Sequence, residues 1–358
     1  MIPVIIVTGF LGSGKTSLLA RQLDKNETDS LSVIVHDLGE ENIDIAYLQG
    51  GEHVNLASKG RLRSVSSGHL SSTHEKQLIT EITAQAETEP RPSAILVESS
   101  GAADVTALTK HLQESKDKWE IVSVVTVIDT SLLPYYLKDP IIAPLIERQT
   151  SIASLLILNK WDRASIKEKR AAKKYIRALT NKTGASVIRS VFGDISTKEL
   201  LKHRPIPCEM NLANSNAGAS IDSVHLKARR PFHPERLEAW LRCSWPGIVR
   251  VKGFIWLASD MDGIYVIDAA GPQREIGLEG TWYASTNDET IKNDTEVQKL
   301  IAGYPWGDRR QALTVIGSSS GVSAAAKALE SALLSDKEMS EGPAAWKVYP
   351  DPLTPQFS

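Results

Sequence analysis

A strand-like apolar run, Ile2-Pro3-Val4-Ile5-Ile6-Val7, leads into Gly9-Phe10-Leu11-Gly12-Ser13-Gly14-Lys15-Thr16, and an apolar helix pattern follows through Leu18, Leu19 and Leu23. A glycine, four residues and then Gly-Lys-Thr, set between a strand and a helix, is the spacing of a phosphate-binding loop. Gly9, Gly12 and Gly14 let the backbone turn through conformations that a side chain would obstruct. The N–H groups so freed point inward at the start of the helix, where anions bind. Lys15 is expected to reach the β- and γ-phosphates of a nucleoside triphosphate and Thr16 to ligate Mg²⁺, with Ser13 and Ser17 completing the phosphate-binding set.

The rest of the N-terminal half repeats the alternation of strands and helices. Strand-type runs are expected at Ser32 to His36, Leu62 to Val65, Ala94 to Val97, Ile121 to Ile128, Ala153 to Leu158 and Ala185 to Val191. Leu78, Ile79 and Ile82 mark a helix ended near Glu89-Pro90, and Lys167 to Lys182 a basic helix with Tyr175, Ile176 and Leu179 inward. Gly50-Gly51 reads as a turn. Because the strands are continuous apolar runs, they imply a mostly parallel sheet covered on both faces, an α/β fold. Ligands of such sheets bind at the carboxyl ends of the strands.

Polar residues stand at those ends. Asn159-Lys160-Trp161-Asp162 closes one strand. In Asn-Lys-x-Asp, the Asp162 carboxylate accepts from the guanine N1–H and exocyclic 2-amine, neither of which adenine offers, and a polar group left unpaired discriminates strongly. Asn159 is expected at the guanine edge and against the phosphate loop, with the Lys160 stem on the base. Glu98 ends another strand and is expected to hold Mg²⁺, directly or through water, or to orient the attacking water; the plainer alternative is a turn cap. Gly101 would donate its N–H to the γ-phosphate. Asp37 and Glu40 follow the second strand and could face Mg²⁺.

Composition narrows the class. With 358 residues, two domains are expected, at 1–205 and 221–358, joined by a linker at 206–220 rich in Asn, Ser, Ala and Gly. The second is expected to be α+β. Its strands are placed at Ser223 to Lys227, Val249 to Leu257, Ile264 to Ala269 and Ala312 to Ile316, and its helices at Pro234 to Leu241 and Ala324 to Leu334. Asp260-Met261-Asp262-Gly263 reads as a hairpin turn, Thr286 to Thr295 as a mobile loop and Pro350 to Ser358 as an irregular tail. A net charge of −2 gives no overall field for nucleic acid or an anionic membrane. Arg229, Arg230 and Trp256 are read as structural pairs and core aromatics rather than a nucleic-acid surface. Two cysteines, Cys208 and Cys243, make no disulfide framework. With neither a secretory leader nor a membrane-spanning run, a soluble cytoplasmic protein is expected.

These residues resemble the CobW family of P-loop GTPases, which includes metallochaperones and metal-centre activators. The family's Gly-Phe-Leu-Gly-Ser-Gly-Lys-Thr matches Gly9 to Thr16, its Glu-x-x-Gly matches Glu98 to Gly101 and its Asn-Lys-x-Asp matches Asn159 to Asp162. Its Asn-Glu-Phe-Gly stands altered as His36-Asp37-Leu38-Gly39. Arg229 to Pro234, Lys252 to Leu257 and Trp306 to Gln311 look like the family's C-terminal domain. The resemblance implies a slow GTPase with GTP and Mg²⁺, a client protein docked by the C-terminal domain, and a possible homodimer. One departure bears on the job. Where most of the family has Gly-Cys-x-Cys-Cys, this chain has Gly68-His69-Leu70-Ser71-Ser72. Serine hydroxyls are poor zinc or cobalt ligands, so the thiolate site is absent. Either His69, with His74, His36 or an acid, makes a weaker nitrogen/oxygen site, or the metal role is lost and the GTPase cycle serves a partner otherwise. With one ligand surviving of three, the reading without a transition metal is the one expected.

Overall fold

The computed structural model describes residues 1–24, 31–37, 62–66, 72–99, 101, 118–204, 221–302 and 304–354. The chain forms two compact units, Met1–Gly218 and Ala219–Ser358. The expected linker at 206–220, Gly50-Gly51, Glu40, His69 and Cys208 lie outside the described residues.

The first unit is built on seven parallel strands: β1 (Ile2–Thr8), β2 (Leu31–Asp37), β3 (Leu62–Ser66), β4 (Ala94–Glu98), β5 (Trp119–Asp129), β6 (Leu155–Asn159) and β7 (Ser186–Arg189). Their order is β3-β2-β4-β1-β5-β6-β7. Helices α1 (Lys15–Asp24), α2 (Ser72–Ala86), α3 (Leu133–Tyr136), α4 (Ala143–Ser151) and α5 (Ile166–Thr183) lie between them in sequence, and α6 (Thr197–Leu200) follows β7. The side-chain period of two in a strand explains the two cores. Ile5 and Val7 of β1 pack with Leu18, Leu19 and Leu23 of α1 on one face. Val4 and Ile6 pack with Leu78 and Ile82 of α2 on the other. Both faces are therefore apolar and covered, as continuous strand runs require. Helix α5 starts at a capping box between Ser165 and Glu168 and stops at Gly184, whose φ of 73° is left-handed.

In the second unit five strands make an antiparallel sheet in the order β11-β10-β9-β12-β8. They are β8 (Ile221–Ala228), β9 (Ile248–Leu257), β10 (Asp260–Ala270), β11 (Gln273–Thr281) and β12 (Gln311–Ser318). Helices α7 (Pro234–Arg242) and α10 (Ser319–Ala332) bring Leu237, Leu241, Val322 and Leu329 onto Val251, Ile255 and Ile267 of the sheet. Between them in sequence lie α8 (Glu289–Lys292) and α9 (Thr295–Ile301); α11 (Asp336–Glu341) and α12 (Pro343–Trp346) follow.

Three local expectations are corrected. The hairpin turn is the two-residue Ala258-Ser259, because Asp260 already pairs with Leu257. Asp260 instead accepts the N–H groups of Asp262 and Gly263 at 2.9 and 3.2 Å, making a bulge in which Asp-Met-Asp-Gly sits within β10. The stretch Thr286 to Thr295 contains α8, nucleated by Asp288 accepting from the Thr290 N–H. Leu353 packs in the C-terminal core, so the start of the expected tail is anchored.

The distinctive C-terminal motifs act as internal ties. Gln311 donates to the carbonyls of Arg230 and Trp256 and accepts from the Trp256 N–H, at 2.7 to 3.0 Å. Arg230 pairs with Asp336, and Arg236 binds Glu338 in a fork at 2.9 and 3.1 Å. Burial raises the Glu338 pKa, but the hydrogen bonds from Arg236 and Ser335 outweigh it and bring the group down to about 2. A carboxylate depressed on folding stabilises above its unfolded pKa and loses that contribution as pH falls through the folded value. The second unit should therefore lose stability between pH 4.5 and 2. Glu338→Gln should flatten that part of the profile in thermal melts followed against pH.

Candidate nucleotide-binding site

The loop after β1 closes over the start of α1. Gly9 has φ 137°, and a Cβ there would lie 2.1 Å from the Val127 carbonyl oxygen. Gly14 has φ 100°, and its Cβ would meet Asn159 Nδ2 at 2.3 Å. Both positions need glycine for conformation and for space. The Lys15 ammonium is buried and donates to the carbonyls of Gly9 at 3.0 Å and Phe10 at 3.5 Å, so it lies over the loop it belongs to. Ser13 Oγ is buried without a hydrogen-bond partner among the described residues. A polar atom so placed costs stability unless something else satisfies it. Ser17 follows, half-buried, in the first turn of α1.

Glu98 comes to the loop through strand register. It pairs with Val7, and so ends beside the residue that precedes Thr8 and the loop. Thr16 Oγ1 donates to Glu98 Oε1 at 3.2 Å, and the carboxylate is 3 % exposed. A hydroxyl and a carboxylate at a helix start are a donor set suited to a hard, oxygen-seeking divalent cation. Asp37 lies at the end of β2, which borders β4; its side chain is outside the described residues. Gly101 packs on the phosphate loop, where a Cβ would lie 2.8 Å from the Leu11 nitrogen. The Gly101 carbonyl accepts from Gln149 at 3.1 Å.

Asn159 joins three segments. Its Nδ2 donates to the Ser13 carbonyl at 2.8 Å, and its Oδ1 accepts from the Gly193 N–H at 3.0 Å. The Asn159 side chain thus ties the end of β6 both to the phosphate loop and to the turn after β7. Lys160 has φ 53° and ion-pairs with Asp129 Oδ2 at 2.8 Å. Asp129, at the end of β5, is held through Oδ1 by the N–H and hydroxyl of Ser131 and by the Leu132 N–H. Asp162 is exposed.

Two features were not anticipated from sequence. Asp129 anchors Lys160; its only signal was an acid at a strand's carboxyl end. The second is the turn Val191 to Asp194, closed by the Asp194 N–H donating to the Val191 carbonyl at 3.0 Å. Phe192 and Gly193 have φ 52° and 71°, the signs of a mirror-image type I turn. A bulky residue at positive φ is a strained choice there. Gly193 is fitted closely, since a Cβ would lie 2.7 Å from the Leu18 Cα. Gly193→Ala should therefore lower both the melting temperature and nucleotide affinity, because it pushes the Asn159 partner off α1; calorimetry and titration on one preparation would check both.

Among the described residues no group of three or more His, Cys, Asp or Glu is placed to hold a metal ion. No described helix is long and apolar enough to cross a membrane.

The model of the CobW/HypB/UreG nucleotide-binding domain matches residues 3–187, and that of the cobalamin synthesis protein CobW C-terminal domain matches residues 221–333. A zinc-regulated GTPase metalloprotein activator 1 of Dictyostelium discoideum is 29 % identical over 98 % of this chain and 84 % of its own length. A zinc chaperone of Mycobacterium tuberculosis is 35 % identical over 38 % of this chain and 35 % of its own. The zinc chaperone CobW of Pseudomonas aeruginosa is 30 % identical over 45 % of this chain and 49 % of its own. With the first match covering over half of the chain and the second most of the remainder, this protein belongs to the CobW/HypB/UreG family and carries a CobW C-terminal domain.

Proposed function

We propose that the chain binds GTP with Mg²⁺ and hydrolyses it slowly to GDP and phosphate, as a switch in metal delivery or metalloenzyme activation. The observation that carries the nucleotide reading is the Asn159 clamp, which ties the phosphate loop to the Asn-Lys-Trp-Asp segment. One residue thereby sets the distance between the phosphate site and the base site.

In this reading Lys15 and the N–H groups of the loop neutralise the β- and γ-phosphates. Thr16 and Glu98, with Asp37 as a further donor, would hold Mg²⁺, whose charge offsets that developing on the phosphate oxygens. A water attacks the γ-phosphorus in line with the departing GDP oxygen; the bond to GDP breaks and the water's proton ends on phosphate or GDP. Glu98 orients that water or acts through the metal. Gly101, seated on Leu11, is the natural point for the γ-phosphate to be sensed. Asp162 and Lys160 select and hold the guanine. The client protein is assigned to the C-terminal domain, and a homodimer is compatible with this cycle.

The zinc named in the three relatives favours the metal-linked role over a metal-independent regulatory or assembly role. The chain's own candidate ligand is His69. Equilibrium dialysis with zinc, run on the GTP- and GDP-bound chain and on His69→Ala, tests this. Binding that differs between the two nucleotides and falls in the variant supports zinc delivery. Equal or absent binding moves the assignment to the metal-independent role.

A further inference from the structure

Helix α5 carries seven Lys and Arg residues against one acid, Glu168. Its net charge of +6 stands in a chain of net −2, which leaves the rest at −8. Three like-charged pairs are four residues apart: Lys169 with Lys173, Arg170 with Lys174, and Lys173 with Arg177. Each such pair destabilises a helix. The helix dipole does not explain them. It favours cations in the last turn, whereas Lys167, Lys169 and Arg170 crowd the first turns. Arg170, Lys173, Lys174 and Arg177 are exposed and have no acidic partner among the described residues.

The positive surface continues onto the sheet edge. Trp161 is approached by Lys169 and Lys173, both 5.4 Å from its ring centroid, and by Arg189 of β7 at 4.8 Å. Strand β7 pairs only with β6, so among the described residues its outer edge has no strand beside it. Val187 on that strand is 42 % exposed. An open edge is a template for another strand. Here the cations decide which strand. A second copy of this chain would bring two +6 helices together and is repelled. An acidic segment is attracted, and β-strand addition supplies its main-chain hydrogen bonds. Nucleic acid gains nothing from the strand edge and meets a chain that is otherwise acidic. A membrane surface finds no apolar face on the helix, whose buried side is spent on Ala172 and Ile176.

We infer that the α5–β7 face is a docking surface for an extended, acidic protein segment that adds to the edge of β7 and lays its carboxylates against α5. This inference does not rest on the nucleotide reading. The test uses the full chain and a fluorescein-labelled peptide of a dozen residues alternating Glu and Val. Its Gln-for-Glu counterpart, a single-stranded RNA of like length and phosphatidylserine vesicles serve as the competing probes. The acidic peptide should bind, weaken several-fold between about 50 and 200 mM salt, and slow amide exchange across Ser186–Arg189. The triple reversal Arg170→Glu, Lys174→Glu, Arg177→Glu lies on exposed helix positions and should weaken it at least about tenfold. The milder Lys174→Gln, Arg177→Gln should weaken it less, and keeps the comparison if the reversal folds poorly. The inference is overturned if the peptide does not bind, if both variants bind it as the parent does, if exchange in β7 is unchanged, or if RNA or vesicles bind more tightly.

Discussion

Lys15→Ala should abolish measurable GTP turnover and weaken GTP binding by about a hundredfold or more. The ammonium is already buried over the loop, held by two carbonyls of the segment that would surround the phosphates. Bound to phosphate, it would exchange those neutral acceptors for charged ones. Hydrogen bonds to charged groups contribute about 1.5–3 kcal/mol each, and 1.4 kcal/mol is tenfold in affinity. Removing the ammonium also leaves the phosphate charge that develops in the transition state uncompensated, so turnover falls further than binding. The fold should survive, because α1 is held by Leu18, Leu19 and Leu23 in the core. Titration with a fluorescent GTP analogue, beside phosphate release and a thermal melt, separates these effects.

Asp162→Asn should cost about a hundredfold in GTP affinity while leaving ATP binding as weak as before. The substitution replaces one of the two accepting oxygens by an NH2 group, so one bond from guanine is lost and a donor faces a donor, while the bond that remains loses its charge. Sites built around such a pair discriminate by several orders of magnitude because the unpaired group is left behind. Asp162 itself is exposed and supports nothing in the core, so stability should not change. Asn159→Ala is a useful contrast. It removes the bonds to Ser13 and Gly193 together, and should weaken binding of GTP and of inorganic triphosphate alike.

The sheet was legible because its strands are buried on both faces. Ile2 to Val7, Ile121 to Ile128 and Ala94 to Val97 are continuous apolar runs, and each proved to be a strand extended by one to three residues. β11 was not anticipated. Gln273 to Thr281 is a largely exposed edge, with Arg274, Glu275 and Glu279 among its side chains, so it has no apolar run and only a weak alternation. The hairpin after β9 was misplaced for a related reason. Asp260-Met261-Asp262-Gly263 has the residue types of a turn, and a bulge inside a strand uses the same carboxylate-to-N–H bonds.

For the candidate site, the residue types and the approach of Asn159 to the phosphate loop stood in the sequence, and the other connections did not. Lys15, Thr16, Glu98 and Asn159 could be chosen by motif. That Asn159 would use one amide to hold both Ser13 and Gly193 depends on two strands and a turn meeting in space. Asp129 and the Phe192-Gly193 turn were invisible for the same reason. Asp129 ends its strand like several other acids, and only the ion pair to Lys160 singles it out.

If the Asn159 clamp joins a phosphate site to a guanine-selective one, guanine and adenine nucleotides must bind unequally. Isothermal titration of the full chain with Mg-GTP and Mg-ATP in parallel addresses this most directly. One site per chain for GTP is expected, with a preference over ATP of at least about a hundredfold. Equal affinity for the two nucleotides, or no binding of GTP, would contradict it.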